Sequence, residues 1–203
     1  MERFLKEWRQ DALDKNQHET AIFIGDKLLA LTGDANDAFW LAQVHFVTGN
    51  YSRALNFLTQ HNLLTGHAAC KYLAGQCLVK QGKYDEALSI LGDKNPVHLI
   101  TAPGSARRKH LHVRDKLRNG TKHDGAAGRS DRIDRSEERD AVETSAIRYE
   151  AAMCYLRGLC HAKVNAFDRA KECYKDAVRI DVQCFEAFDQ LMKNSLMSPT
   201  EEW

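Results

Sequence analysis

Nine histidines and six cysteines are the side chains of this 203-residue chain best suited to metal ligation or nucleophilic attack. Their spacing supports neither. The cysteines stand at 70, 77, 154, 160, 173 and 184 with no Cys-x-x-Cys pair. Cys70 and Cys77, seven apart, share a helix face, where a free thiol behaves as a small buried hydrophobe. His110 and His112 alternate, but in a stretch with nothing to orient them as ligands. The chain has no Gly-x-Gly-x-x-Gly, Walker loop, Gly-x-Ser-x-Gly or His-Glu-x-x-His. The expectation is no catalytic residue, no cofactor and no metal. What remains is the chemistry of contact. Phe39, Gln43 and Phe46 lie at i, i+4 and i+7, on one face of a helix, and the triplet recurs as Tyr72, Gln76, Val79 and as Tyr155, Leu159, Ala162. A wall of rings, amides and aliphatics with almost no charge suits an amphipathic helix better than a charged peptide tail. Near the start of the chain, Phe4, Leu5, Trp8 and Ala12 form an apolar stripe that could be such a helix.

The elements that must carry these faces follow from a repeat. Gly49-Asn50-Tyr51-Ser52-Arg53-Ala54 returns as Gly82-Lys83-Tyr84-Asp85-Glu86-Ala87 and as Asn165-Ala166-Phe167-Asp168-Arg169-Ala170. A degenerate first copy reads Asn16-Gln17-His18-Glu19-Thr20-Ala21. The alanines are 33, 33 and 83 residues apart, the last step being one repeat plus a 50-residue insertion. A period near 34 with this signature marks an all-α tetratricopeptide superhelix, antiparallel helix pairs stacked as a solenoid. The anchors predict A helices near 2–14, 36–48, 68–81 and 148–164, and B helices near 18–31, 51–60, 84–92 and 167–180. A fifth A helix begins near Cys184. Leu41-Ala42, Ala74-Gly75 and Gly158 let A and B helices approach, Leu58, Leu91 and Tyr174 fill the gap between repeats, and Tyr51, Tyr84 and Phe167 plug the bend.

The pattern divides the chain into repeats one to three over 1–95, an insertion over 96–147, and repeat four with one further helix over 148–203. The insertion has no Phe, Trp or Tyr and carries glycines and charge, so it is expected to be a disordered basic loop. Residues 101–140 hold 11 Lys/Arg against 7 Asp/Glu. Arg107-Arg108-Lys109 reads as a solvated charge run. Formal charge over the whole chain is +1, which argues against nucleic acid or an anionic membrane as main partner. No stretch approaches the roughly 18 apolar residues of a membrane span. The charged start has no apolar run of signal-peptide length, so nucleus and cytoplasm are the expected compartments, and the sequons at Asn50 and Asn119 carry no meaning there. Repeat arrays end in a polar cap. Here Phe185, Phe188, Leu191 and Leu196 precede the end at Trp203, so the chain is expected to be an N-terminal piece of a longer array or a gene product cut short.

Specific strings go beyond the generic repeat. Residues 36–43 (NDAFWLAQ), 69–74 (ACKYLA), 154–158 (CYLRG), 165–174 (NAFDRAKECY), 184–191 (CFEAFDQL) and 196–203 (LMSPTEEW) resemble the cell-division-cycle-sixteen family, subunit six of the anaphase-promoting complex, in its fungal form. The resemblance covers about 1–95 and 148–203. It implies a non-catalytic scaffold of a nuclear ubiquitin ligase that acts in mitosis, with the ligase chemistry in other subunits. It also implies homodimerisation through the N-terminal repeats, contacts with other subunits of the complex, and a small accessory subunit held by C-terminal repeats outside this sequence. Ser198-Pro199 fits a minimal proline-directed phosphorylation site. The candidate dimer or partner surface is therefore Phe4, Leu5, Trp8, Phe39, Gln43, Phe46, Tyr72, Gln76, Val79 and Tyr155. The alternative is a generic repeat adaptor or co-chaperone holding a peptide in its groove. Clamps for acidic tails need Lys, Arg and Asn on that wall, where Phe39, Gln43, Tyr72 and Gln76 stand instead. A hidden enzyme would need a convergent polar pocket, and a nucleic-acid binder would need aromatics within the basic insertion.

Overall fold

The computed structural model describes residues 1–100, 130–194 and 196, the side chains of 130–143 aside. Every regular element among them is helical: α1 (Glu2–Asp14), α2 (His18–Thr32), α3 (Ala35–Val47), α4 (Tyr51–Gln60), a 3-10 turn (Leu63–Thr65), α5 (Ala68–Lys80), α6 (Tyr84–Leu91), α7 (Val97–Ile100), α8 (Ser130–Lys163), α9 (Phe167–Ile180) and α10 (Phe185–Lys193). They form two compact units, Met1–Asp93 and Lys94–Trp203. In the first, α1 pairs with α2, α3 with α4 and α5 with α6; in the second, α8 pairs with α9, and α10 packs on α9.

The repeated signature is a turn device. Asn16, Gly49, Gly82 and Asn165 open the four copies, and all four have positive φ, between 56° and 80°. Glycine and asparagine adopt this conformation most readily. Each is followed by the same closing bond: Gln17 N–H donates to the Ala12 carbonyl, Asn50 to His45, Lys83 to Leu78 and Ala166 to His161, at 2.8, 2.8, 2.9 and 2.9 Å. This satisfies carbonyls that the ending helix would leave orphaned. The same four residues then accept from the signature alanines Ala21, Ala54, Ala87 and Ala170, which starts the second helix. The degenerate first copy uses this geometry as fully as the others.

The four alanines are fully buried. Nothing larger than a methyl fits where the paired helices cross. Opposite them the close approach is set by glycine: a Cβ on Gly75 would meet Leu91 at 2.8 Å, and one on Gly158 would meet the Tyr174 ring at 2.4 Å. Leu91 thus fills space within its own helix pair, a correction to its expected place between repeats. Tyr174 both meets Gly158 of its own pair and shares a buried cluster with Ala187 and Leu191 of α10, as expected of a residue between repeats. Phe167 differs too: it is 53% exposed, while Tyr51 and Tyr84 are half-buried as bend plugs should be. The 3-10 turn, absent from the sequence reading, buries Leu63 into the cluster formed by Ala38, Ala42, Leu58, Leu73 and Cys77.

The expectation of disorder over 96–147 gives way to helix at both margins. Val97–Ile100 is α7, and Ser130–Lys163 is one continuous helix of 34 residues, in place of an A helix starting at 148. Residues 130–157 contain neither glycine nor proline, so nothing breaks the helix that repeat four nucleates. The rest of the insertion lies outside the described residues, with Arg107-Arg108-Lys109, His110, His112 and Asn119; so does Ser198.

Candidate protein-binding surface

Helix α1 is pinned by a charge. Arg9 stands twelve residues before Ala21, where the other repeats place Ala42, Gly75 and Gly158 before their own alanines. Its Nη1 donates to Asp37 Oδ1 at 2.6 Å, with side-chain exposures of 12% and 3%. The guanidinium also lies 4.2 Å from the centre of the Trp40 ring. Thr32 Oγ1 donates to Asp37 Oδ2 at 3.1 Å, so one buried carboxylate ties α1, α2 and α3 together. A buried ion pair of this kind fixes geometry more than it adds stability. The sequence reading missed it, although a large cation at a small-residue position was the signal.

The anchor decides which face of α1 is free. Ala12 is buried and Leu5 half-buried, on the side of Arg9. Phe4 and Trp8 remain 62% and 45% exposed, with ring centres 6.0 Å apart. Together with Glu7 and Asp11 they line a shallow surface depression. Trp8 is a surface residue here. An exposed pair of large rings is the kind of feature that marks a contact site.

The wall predicted to receive such a helix divides between the two units. In the first, α3 carries Phe39, Gln43 and Phe46, and α5 carries Tyr72, Gln76 and Val79. Gln43 is exposed and the other five are half-buried. Phe39 and Phe46 rest on the buried cluster beneath, and Phe46 meets Tyr51 at 5.4 Å between ring centres. Gln76 Nε2 donates to Tyr72 Oη at 2.7 Å, which holds both side chains in place. The first unit therefore brings six of the nine wall residues onto two touching helices, and α8 carries the other three, Tyr155, Leu159 and Ala162. Tyr155 belongs to the second unit, half-buried on α8 against Tyr174, with ring centres 6.1 Å apart. Among the described residues no three His, Cys, Asp or Glu side chains converge as metal ligands would.

Paired helices with these turns and glycine crossings define a tetratricopeptide-repeat protein. The family model of the tetratricopeptide repeat matches residues 151–183, and that of anaphase-promoting complex, cyclosome, subunit 3 matches residues 14–94. The chain is 41% identical over 202 residues to anaphase-promoting complex subunit cut9 of Schizosaccharomyces pombe, covering 100% of this chain and 25% of that protein. It is 32% identical to anaphase-promoting complex subunit CDC16 of Saccharomyces cerevisiae, over 98% of this chain and 21% of the relative. With the human cell division cycle protein 16 homolog it shares 30%, over 100% of this chain and 29% of the relative. Its fold is similar to the crystal structure of the APC/C hetero-tetramer Cut9-Hcn1, with a TM-score of 0.71 and 40% identity, over 100% of this chain and 31% of that one. MamA of Desulfovibrio magneticus shares the fold alone, at a TM-score of 0.60 and 16% identity, over 94% of this chain and 81% of that one. The chain belongs to the cell-division-cycle-sixteen family of anaphase-promoting complex subunits. It spans about a quarter of the length of the curated relatives it matches.

Proposed function

We propose that this chain is a non-catalytic scaffold segment of the anaphase-promoting complex, acting in mitotic progression in the nucleus and cytoplasm, and that it pairs with a second copy of itself. The observation that carries the assignment is identity of 41% to an anaphase-promoting complex subunit along the whole chain. Two observations support the pairing. Phe4 and Trp8 stand free on a helix held rigidly by Arg9, and the uncharged wall of α3 and α5 lies in the same unit. A helix from one copy laid into the wall of the other gives a two-fold contact in which each copy supplies both halves. The related Cut9 occurs with Hcn1 in a hetero-tetramer, as a pair of each would require.

Light scattering on the purified chain tests the pairing. The wild type should have twice the chain mass. Phe4→Glu with Trp8→Glu on the donor helix, and Phe39→Glu or Tyr72→Glu on the wall, should each give monomers with unchanged helical content. Folded variants that keep the dimer mass would refute this interface, as would a wild type that is monomeric. Membership of the complex has a separate test. The matching segment of Schizosaccharomyces pombe Cut9 is replaced by this chain, and growth of cells that depend on the chimera is scored. Growth with the wild-type segment and its loss with the monomeric variants is the expected result. Failure of the wild-type segment despite a stable chimera would overturn the assignment.

A further inference from the structure

Arg157 on α8 stands thirteen residues before its signature alanine, where repeats one to three place Trp8, Leu41 and Ala74. It is only 4% exposed. A guanidinium in that position must find partners, and one of them comes from outside the helix pair. Arg157 Nη1 donates to Asn95 Oδ1 at 3.2 Å and to Cys154 Sγ at 3.4 Å. Asn95 Nδ2 in turn donates to Asp176 Oδ2 on α9 at 2.9 Å and reaches Cys173 Sγ at 3.6 Å. The amide is therefore a neutral bridge, its oxygen toward a cation on one helix and its nitrogen toward a carboxylate on the other. The order of donors and acceptors permits one orientation only.

Asn95 sits on a short segment, residues 94–100, that ends in the single helical turn α7 and packs against α9. We infer that residues 94–100 are a strap closed over the α8–α9 pair by the Asn95 lock, able to open without unfolding that pair. Opening would wet Arg157, Asp176 and the Cys173 thiol together, while Cys154 stays in the buried cluster of the helix pair with Ala170 and Tyr174. The helix pair keeps its own support. Tyr174 against Gly158 and the buried alanines Ala170 and Ala177 owe nothing to the strap.

Native-state alkylation of the full chain with N-ethylmaleimide, read by mass spectrometry at each cysteine, tests this. In the wild type Cys184, the one thiol of the six that is not buried, should react first. Asn95→Ala should speed labelling of Cys173 about ten-fold, the effect of losing roughly one hydrogen bond from the closed state. Two buried thiols serve as internal controls and should not change: Cys77 in the other unit, and Cys160, six residues along α8 from Cys154. Asp176→Ala, which breaks the lock from the other side, should release the same thiol, and the double variant should do little more than either single one. Acceleration of Cys160 in step with Cys173 would mean that the pair unfolds as a whole, and the strap reading would fall. Unchanged Cys173 in both variants would overturn it equally.

Discussion

Replacing Gly158 by alanine should destabilise this protein more than the same change at Gly75, and the difference comes from what each new methyl meets. At 158 the Cβ would lie 2.4, 2.6 and 3.0 Å from three ring atoms of Tyr174, the first about 1 Å inside ordinary contact. Tyr174 is fully buried, with Tyr155 beside it, so a rigid ring with two torsions has little room to retreat. At 75 the Cβ meets the ends of Leu91 at 2.8 to 3.2 Å, where a change of rotamer can absorb part of the overlap. Overpacking costs about 1–3 kcal/mol, and alanine returns about 1 kcal/mol over glycine within a helix. Gly75→Ala is therefore expected to lose about 0–1 kcal/mol net, and Gly158→Ala about 2 kcal/mol or more. Urea denaturation of the full chain followed by circular dichroism measures both. Tyr174→Leu should leave a void on its own yet accept the new methyl, so the double variant should be roughly 1–2 kcal/mol more stable than the two single losses predict. Equal stability of Gly158→Ala and wild type, or strict additivity in the double, would refute the account of these crossings.

Asp37→Ala should cost about 3 kcal/mol by leaving the Arg9 guanidinium without its buried counter-charge, and Trp40 fluorescence should report the loosening; Asp37→Asn, which keeps an acceptor, should lose less. An Asp37→Ala protein as stable as wild type would show that the anchor does not hold α1. Alkaline pH should also weaken the fold. Burial pushes Cys77 and Cys154 up to about 12 from an ordinary 9.0, so the unfolded chain loses these protons first. The stability they contribute is complete below pH 9 and is lost as pH rises toward 12, by about 1.4 kcal/mol per unit for each thiol. Urea midpoints measured between pH 8 and 10.5 should fall, and Cys77→Ala with Cys154→Ala should flatten the slope. A slope unaltered by both substitutions would disprove the cause.

The repeat was legible because its chemistry is local. Asn or Gly at the left-handed turn position, and alanine five residues later at the crossing, are each required by backbone geometry within one helix pair, so the period announces them wherever they occur. The helix boundaries of repeats one to three follow from the same residues. The candidate wall on α3 and α5 was legible for a related reason: residues spaced i, i+4 and i+7 share a face whatever lies around them. The extent of α8 was not, because composition alone weighs a charged, ring-free stretch as loop, while a helix already nucleated by repeat four continues until something breaks it.

What the sequence determined by itself is the architecture, the four equivalent turns, the uncharged character of the wall, and the family. Tertiary structure decided the rest. Arg9 meets Asp37 and Trp40 across 28 and 31 residues, and Asn95 meets Arg157 and Asp176 across 62 and 81. No periodicity encodes such pairs. The first depends on helices from different repeats arriving at one point and the second on a non-helical segment meeting a helix pair, and in each a buried charge must find its partner or the packing fails. Those long-range pairs leave Phe4 and Trp8 on the surface and hold residues 94–100 against α8 and α9.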